Sequence, residues 1–213
     1  MSKSFLIFDL DGTLSDPKDG IVRSINYALE AHGFDSRAEA DLLSCIGPPL
    51  DASFRELLQT SDESLISSLV KKYRERYADV GFAENCLYDG VFDSLRSLYG
   101  EHPLAVCTSK PVAFARKIIE MFDLDGFFEF VDGGDVGISK VTQLSDLSSK
   151  GLVGPGSVMV GDRMFDLRAA HENGLRSVGV LWGYGSFAEL SAEKPVMMLD
   201  EPRELHRAAG SCV

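Results

Sequence analysis

The stretch FLIFDLDGTL, Phe5 to Leu14, decides the fold. Phe5 to Phe8 are four bulky apolar residues in a row, as in a strand buried on both faces. The run ends on Asp9, Asp11 follows one residue later, and Gly12 and Thr13 come next. Two carboxylates this close raise one another's pKa unless a cation lies between them. A buried strand that ends on such a pair needs positive charge brought to it from elsewhere in the chain.

Outward from that strand the same rhythm returns. PLAVC (103–107), FFEFV (127–131), SVMV (157–160) and RSVGV (176–180) are short apolar runs bounded by Gly, Pro, Asp or Ser, and PVMML (195–199) reads as a sixth strand at an edge. Helical patterns lie between the later runs. Pro111 opens PVAFARKIIEMF, where Val112, Phe114, Ala115, Ile118 and Ile119 share a face, and MFDLRAAHENG is closed by Gly174. Strand alternating with helix predicts an α/β fold, a Rossmann-like parallel sheet covered on both faces, with ligands at the carboxyl ends of its strands. Asp9 sits at such an end.

The rhythm breaks between the first two strands. GIVRSINYALEAHG, LDASFRELLQT and SLISSLVKKYRERYADV read as amphipathic helices, with Gly33 as a stop, Asp62 or Ser61 as a cap, and IGPPL (46–50) as a turn. The expected organisation is an α/β core of residues 1–16 and 85–213, with an inserted α-helical cap of residues 17–84 over the strand ends.

Composition bounds the rest. The chain has 213 residues, is 45% apolar and 25% charged, and carries a net charge of −12. An acidic surface argues against nucleic acid and against an anionic membrane as partner. The apolar run at the N-terminus is too short for a secretory signal, and no stretch reaches the ~20 apolar residues of a membrane helix. Four scattered cysteines without a CxxC pair argue against disulfide and zinc roles, so a cytoplasmic location is expected. A monomer is the default, with a homodimer as the alternative.

The polar residues after the strands carry the chemistry. Asp9, Asp11, Gly12 and Thr13 follow the first, Thr108, Ser109 and Lys110 the second, Asp162 and Asp166 the fourth, and Lys140 lies between the third and fourth. Four converging carboxylates without a counterion would be unstable, and Mg²⁺, a hard cation with oxygen ligands, suits both acids and phosphate. One acid could attack phosphorus. A second, two residues on and on the same side of an extended chain, could protonate the leaving alcohol and later activate water. Thr108 and free N–H groups near Pro111 could bind phosphate oxygens.

DLDGTL, an apolar run ending in TS, a lysine, and then GDRMFD together resemble the haloacid dehalogenase superfamily of phosphatases. The resemblance extends to the phosphoglycolate phosphatase-like branch, which has a helical cap after the first motif. VGVLWGYGS (178–186) is similar to this branch too, including its 5′-nucleotidase-like members. The resemblance implies Asp9 as nucleophile and Asp11 as general acid/base. It implies Thr108, with Ser109 and Gly12, as substrate-binding, and Lys140 as the third-motif lysine. It makes Asp162 a metal ligand beside Asp9 and the backbone carbonyl of Asp11, with Asp166 steadying metal waters or Lys140. Many relatives have Lys-Pro where this chain has Lys-Val-Thr.

Plainer readings stand beside these. A calcium loop counted from Asp9 fails, because its sixth and twelfth positions are Leu14 and Gly20. Lys110 reads as a residue of the helix start or of the surface, Lys150 as the alternative site lysine, Arg163 as a structural salt-bridger. KKYRER (71–76) reads as a solvated helix face, Trp182 and Tyr184 as packing a loop beside the site, and Arg23 and Arg55 as candidates to reach a leaving group. The expected function is a Mg²⁺-dependent phosphate monoester hydrolase working through an aspartyl phosphate. Its expected substrate is a small phosphorylated metabolite, phosphoglycolate or a nucleoside 5′-monophosphate. The alternatives are a phosphosugar mutase on the same fold and a catalytically silent phosphate-binding regulator.

Overall fold

A computed structural model describes residues 3–134 and 138–212. The chain forms two compact units, one of Met1–Asp16 with Leu87–Val213 and one of Pro17–Cys86. It starts with β1 (Leu6–Phe8), fully buried, and the two-residue β2 (Ser15–Asp16).

The second unit is helical. It contains α1 (Lys18–Ala31), the single turn α2 (Glu39–Leu42), α3 (Leu50–Leu58) and α4 (Glu63–Asp79). Helix α1 packs on α4 through an apolar stripe of Ile21, Ile25, Ala28 and Leu29 at helical spacing. Of the two cap candidates, Asp62 is the one used: its side chain accepts from the N–H groups of Ser64 and Leu65 at 2.9 and 3.2 Å. KKYRER is solvated only in part. Lys71 and Arg74 are exposed, but Tyr73 is buried and stacks on Tyr77 at 5.4 Å. Arg76 reaches inward to Glu84, because the helical repeat carries it onto the buried side.

The chain returns through β3 (Cys86–Leu87), which pairs with β2 in a two-stranded ribbon. Helix α5 (Val91–Leu98) and strand β4 (Leu104–Pro111) follow. Then come α6 (Val112–Met121), β5 (Phe128–Gly134), α7 (Lys140–Ser149), β6 (Val158–Gly161) and α8 (Met164–Glu172). The chain ends with β7 (Arg176–Val180), α9 (Phe187–Ala192), β8 (Met197–Leu199) and α10 (His206–Ala209).

The six long-range strands form one parallel sheet in the order β5-β4-β1-β6-β7-β8, the α/β class expected from the alternation. Alternate residues feed two layers. Phe5 and Ile7 join Ala105, Cys107 and Met159 against Leu144 and Leu147 of α7 and Ala169 and Ala170 of α8. Leu6–Phe8, Leu104–Thr108, Val158–Gly161 and Ser177–Val180 are buried on both faces, which is why the central strands read as apolar runs, whereas edge strand β5 is largely only half-buried. β4 is longer than its apolar run, continuing past Cys107 to Pro111 with a bulge between Thr108 and Pro111. Strand order reverses at β1, and such a switch point opens a crevice at the carboxyl ends.

Candidate active site

β1 lies between β4 and β6, so the residues that leave those strands meet. Leu6 aligns with Leu104 on one side and Val158 on the other. The Asp9 N–H donates to the Val160 carbonyl at 2.9 Å, which fixes Asp9 beside the end of β6. Asp9, Asp162 and Asp166 are buried, each with a carboxylate oxygen within 4.8 Å of the others. Lys140 is the first residue of α7, whose N-cap is Ser139. The Lys140 Nζ lies 2.9 Å from Asp9 Oδ1, an ion pair whose angle falls short of a hydrogen bond, and it also donates to Asp166 Oδ1. Asp166 is the third residue of α8, where its Oδ2 accepts from the Arg163 N–H at 3.0 Å and caps the helix.

The loop after β1 supplies the second acid. Asp11 Oδ2 lies 2.7 Å from Lys110 Nζ in a pair that is mostly buried. Gly12 follows with φ +82°, and a Cβ there would stand 2.2 Å from Asp162 Oδ2. Only a glycine lets this loop pass so close to the acid. Asp162 is held from two more directions: Oδ2 accepts from the Tyr184 N–H at 2.8 Å, and Oδ1 accepts from Thr13 Oγ1 at 3.4 Å. Trp182 Nε1 donates to the Thr13 carbonyl at 2.9 Å, and the Tyr184 hydroxyl donates to Asp16. The segment after β7 thus packs against the site loop.

The other residues singled out from sequence have varied surroundings. Thr108 is buried at the end of the regular part of β4. Ser109 is exposed. The Gly12 N–H donates to the Ser15 carbonyl at 2.8 Å, so its visible role is close approach. Lys150 is exposed at the far end of α7, which leaves Lys140 as the lysine at the acids. Arg23 pairs with Glu84 and Asp19, and Arg55 with Glu63 and Asp51, within the helical unit. Arg163 pairs with Glu189 at 2.9 Å.

One site residue was read differently in the sequence, and one was missed. Lys110, read there as part of the helix start or surface, is instead in the cluster, because β4 stays extended past Thr108. Gln143 is buried, and its Nε2 donates to the Thr108 carbonyl at 3.1 Å and to Asp132 Oδ2 at 2.8 Å. Nothing in the local sequence distinguishes Gln143 from an ordinary polar residue of α7.

The family model of the haloacid dehalogenase-like hydrolases matches residues 6–180, which include all of these acids and both lysines. The chain belongs to this family. Among relatives, it is similar to a 5′-nucleotidase of Pseudomonas aeruginosa, 40% identical over 196 residues, 89% of this chain and 88% of that protein. A phosphoglycolate phosphatase of Aliivibrio fischeri is 31% identical over 208 residues, 92% of each chain. Tyrosine-protein kinase PtkA of Mycobacterium tuberculosis is 35% identical over 198 residues, 86% of this chain and 64% of that protein. A solved structure of PtkA gives a TM-score of 0.82 at 32% identity, covering 98% of this chain and 99% of the solved one.

In this haloacid dehalogenase-like hydrolase the charges call for a cation. If all four are ionised, the carboxylates exceed the two ammonium groups they face by two negative charges. Burial, with Asp166 and Asp9 nearby, holds Asp162 well above the usual carboxylate range, and burial pushes Asp166 up to about 6 despite Lys140. Burial likewise raises Asp11 against the pull of Lys110. Burial disfavours the Lys140 ammonium, but Asp166 and Asp9 outweigh it, and its pKa stands above the ordinary lysine value. Asp11 Oδ1 is buried without a hydrogen-bond partner among the described residues, and Asp9 Oδ1 is buried beside the Lys140 ammonium at 2.9 Å. An all-oxygen donor set short of two positive charges fits a hard divalent ion.

Proposed function

We propose that this hydrolase cleaves a small phosphorylated metabolite through an aspartyl phosphate on Asp9, with Asp11 as general acid and base and Mg²⁺ as cofactor. As a family member with relatives named as phosphatases, it is a phosphoric monoester hydrolase. The observation that carries the mechanism is the convergence of Asp9, Asp162, Asp166 and Lys140 in one buried cluster at the switch point of the sheet. Among the described residues no helix is long and apolar enough to cross a membrane.

The steps are assigned to this chain's own groups. An Asp9 oxygen bonds to phosphorus as the ester P–O bond breaks, and Asp11 gives its proton to the leaving oxygen. Water then attacks phosphorus and yields a proton to Asp11; the P–O bond to Asp9 breaks, and phosphate leaves. Lys140 offsets the charge of Asp9 and Asp166 and fixes their orientation. The Thr108 hydroxyl, which accepts from the Lys110 N–H at 3.3 Å, keeps its own proton to donate to a phosphate oxygen. Magnesium held by Asp9, Asp162 and the Asp11 carbonyl would neutralise phosphate charge and brace the acids.

For the substrate, the 5′-nucleotidase relative favours a nucleoside 5′-monophosphate, and the phosphoglycolate phosphatase relative favours phosphoglycolate. The helical unit, residues 17–84 by the sequence rhythm, is proposed as the cap that selects the leaving group. The deciding experiment measures phosphate release from a panel of phosphorylated metabolites with and without EDTA. Asp9→Asn is expected to lower turnover by at least ~10³-fold while its circular dichroism stays native. Wild-type turnover in that variant would overturn the covalent mechanism. Phosphoryl transfer to a sugar or a tyrosine without net phosphate release would replace water as the acceptor.

A further inference from the structure

We propose that Lys110 is a positioning residue for the proton-transfer step: it holds Asp11 by Oδ2 and so assigns the exchanged proton to Oδ1. The inference rests on the reading of Asp11 as general acid and base. An ammonium group has three donors and no acceptor, so the oxygen that faces it can only accept. Lys110 Nζ lies 2.7 Å from Asp11 Oδ2, with the two side chains 6% and 16% exposed. When Asp11 is protonated, the proton must therefore sit on Oδ1, and Oδ1 has no hydrogen-bond partner among the described residues. The pairing would leave the carboxyl in one rotamer with one oxygen reserved for the substrate.

The backbone is shaped for this contact. In the β4–β5 ladder Thr108 aligns with Gly133 and Pro111 with Gly134, so Ser109 and Lys110 are extra residues in the bulge. A bulge re-aims side chains, and here it presents lysine to the loop after β1. The partner strand makes room for it: a Cβ on Gly133 would stand 2.4 Å from the Val112 backbone, and one on Gly134 2.5 Å from the Ser109 carbonyl. The two lysines then divide the work, Lys140 on the Asp9 side and Lys110 on Asp11.

The test compares two esters with Mg²⁺ present. The phenolate of phenyl phosphate is a poor leaving group that needs a proton; that of p-nitrophenyl phosphate needs it far less. Lys110→Met is expected to lower kcat/KM for phenyl phosphate about 30-fold and for p-nitrophenyl phosphate less than about fivefold, with KM little changed. Lys110→Arg should recover most of the loss. Asp11→Asn should show the same ester selectivity, and adding Lys110→Met to it should bring no further loss, as for two groups that act in one step. Circular dichroism reports whether Lys110→Met folds; if it does not, Lys110→Gln takes its place. Equal losses on both esters, or a loss carried by KM, in a Lys110 variant would overturn the positioning role and leave the acid–base reading intact, provided Asp11→Asn is selective. Equal losses on both esters in Asp11→Asn would remove the acid–base reading and this inference together.

Discussion

Gly12 shows how much one missing atom can matter. Its φ of +82° places the chain in a region that costs an L-residue about 1–2 kcal/mol, and the Asp162 carboxylate fills the space where a Cβ would be. Gly12→Ala is therefore expected to destabilise the protein by more than about 2 kcal/mol and to lower turnover, since Asp162 must move. Thermal unfolding and phosphate release check both effects, and a variant unchanged in both would show that the loop relaxes freely. The acids were legible because sequence spacing and strand pattern alone fix which residues leave a strand end. Lys110 was named among the strand-end residues but read toward the helix start or surface, because its place depends on how far β4 stays extended, and TSKP reads as the end of a strand. Gln143 was not, because its partners are a carbonyl of β4 and an acid of β5, and neither lies near it in sequence.

Among the elements, α4 and the short turn after it carry the electrostatics of the helical unit. Arg76 donates to both carboxylate oxygens of Glu84 at 2.8 and 3.0 Å, and Arg23 adds a bond at 2.8 Å. The Arg76 guanidinium holds the Glu84 carboxyl below its usual range. A depressed pKa in the folded state gives stability that is fully present above the unfolded value, about pH 4.3, and is lost as pH falls through the lower folded value. The Glu84 and Arg76 side chains are 21% and 19% exposed, so solvent screens the pair and a contribution of about 1 kcal/mol is reasonable. Glu84→Gln should lower the urea midpoint at pH 7, and its difference from wild type should shrink as pH falls below about 4.3. A variant that matches wild type in midpoint at pH 7 would mean that the network adds nothing. The helices were legible from their apolar stripes, but the inward turn of Arg76 was not, because a mostly basic run gives no sign of which member meets a distant acid.

At the scale of the molecule, folding gathers more negative than positive charge at one point of a parallel sheet. A ligand that binds only the folded state stabilises it by about 2.7 kcal/mol at a hundredfold excess over its Kd. Saturating Mg²⁺ should therefore raise the melting temperature by roughly 5–10 °C for a chain this long, and EDTA should reverse the rise. Asp162→Asn should abolish the increment. A midpoint unmoved by magnesium would take the cation out of the site. The parallel sheet was legible because strands buried on both faces announce themselves as apolar runs, but its order was not, because β1 pairs with β4 and β6, which lie far from it in sequence. The ribbon of β2 and β3 escaped notice because two-residue strands leave no periodicity. Yet that ribbon sets the spacing of the exit and re-entry points. Paired strands lie about 4.8 Å apart, so the chain departs and comes back through one narrow gate. A module with such neighbouring ends is a graft site: a counterpart from a relative could be spliced in at these two junctions, and the sheet would feel no pull from the exchange.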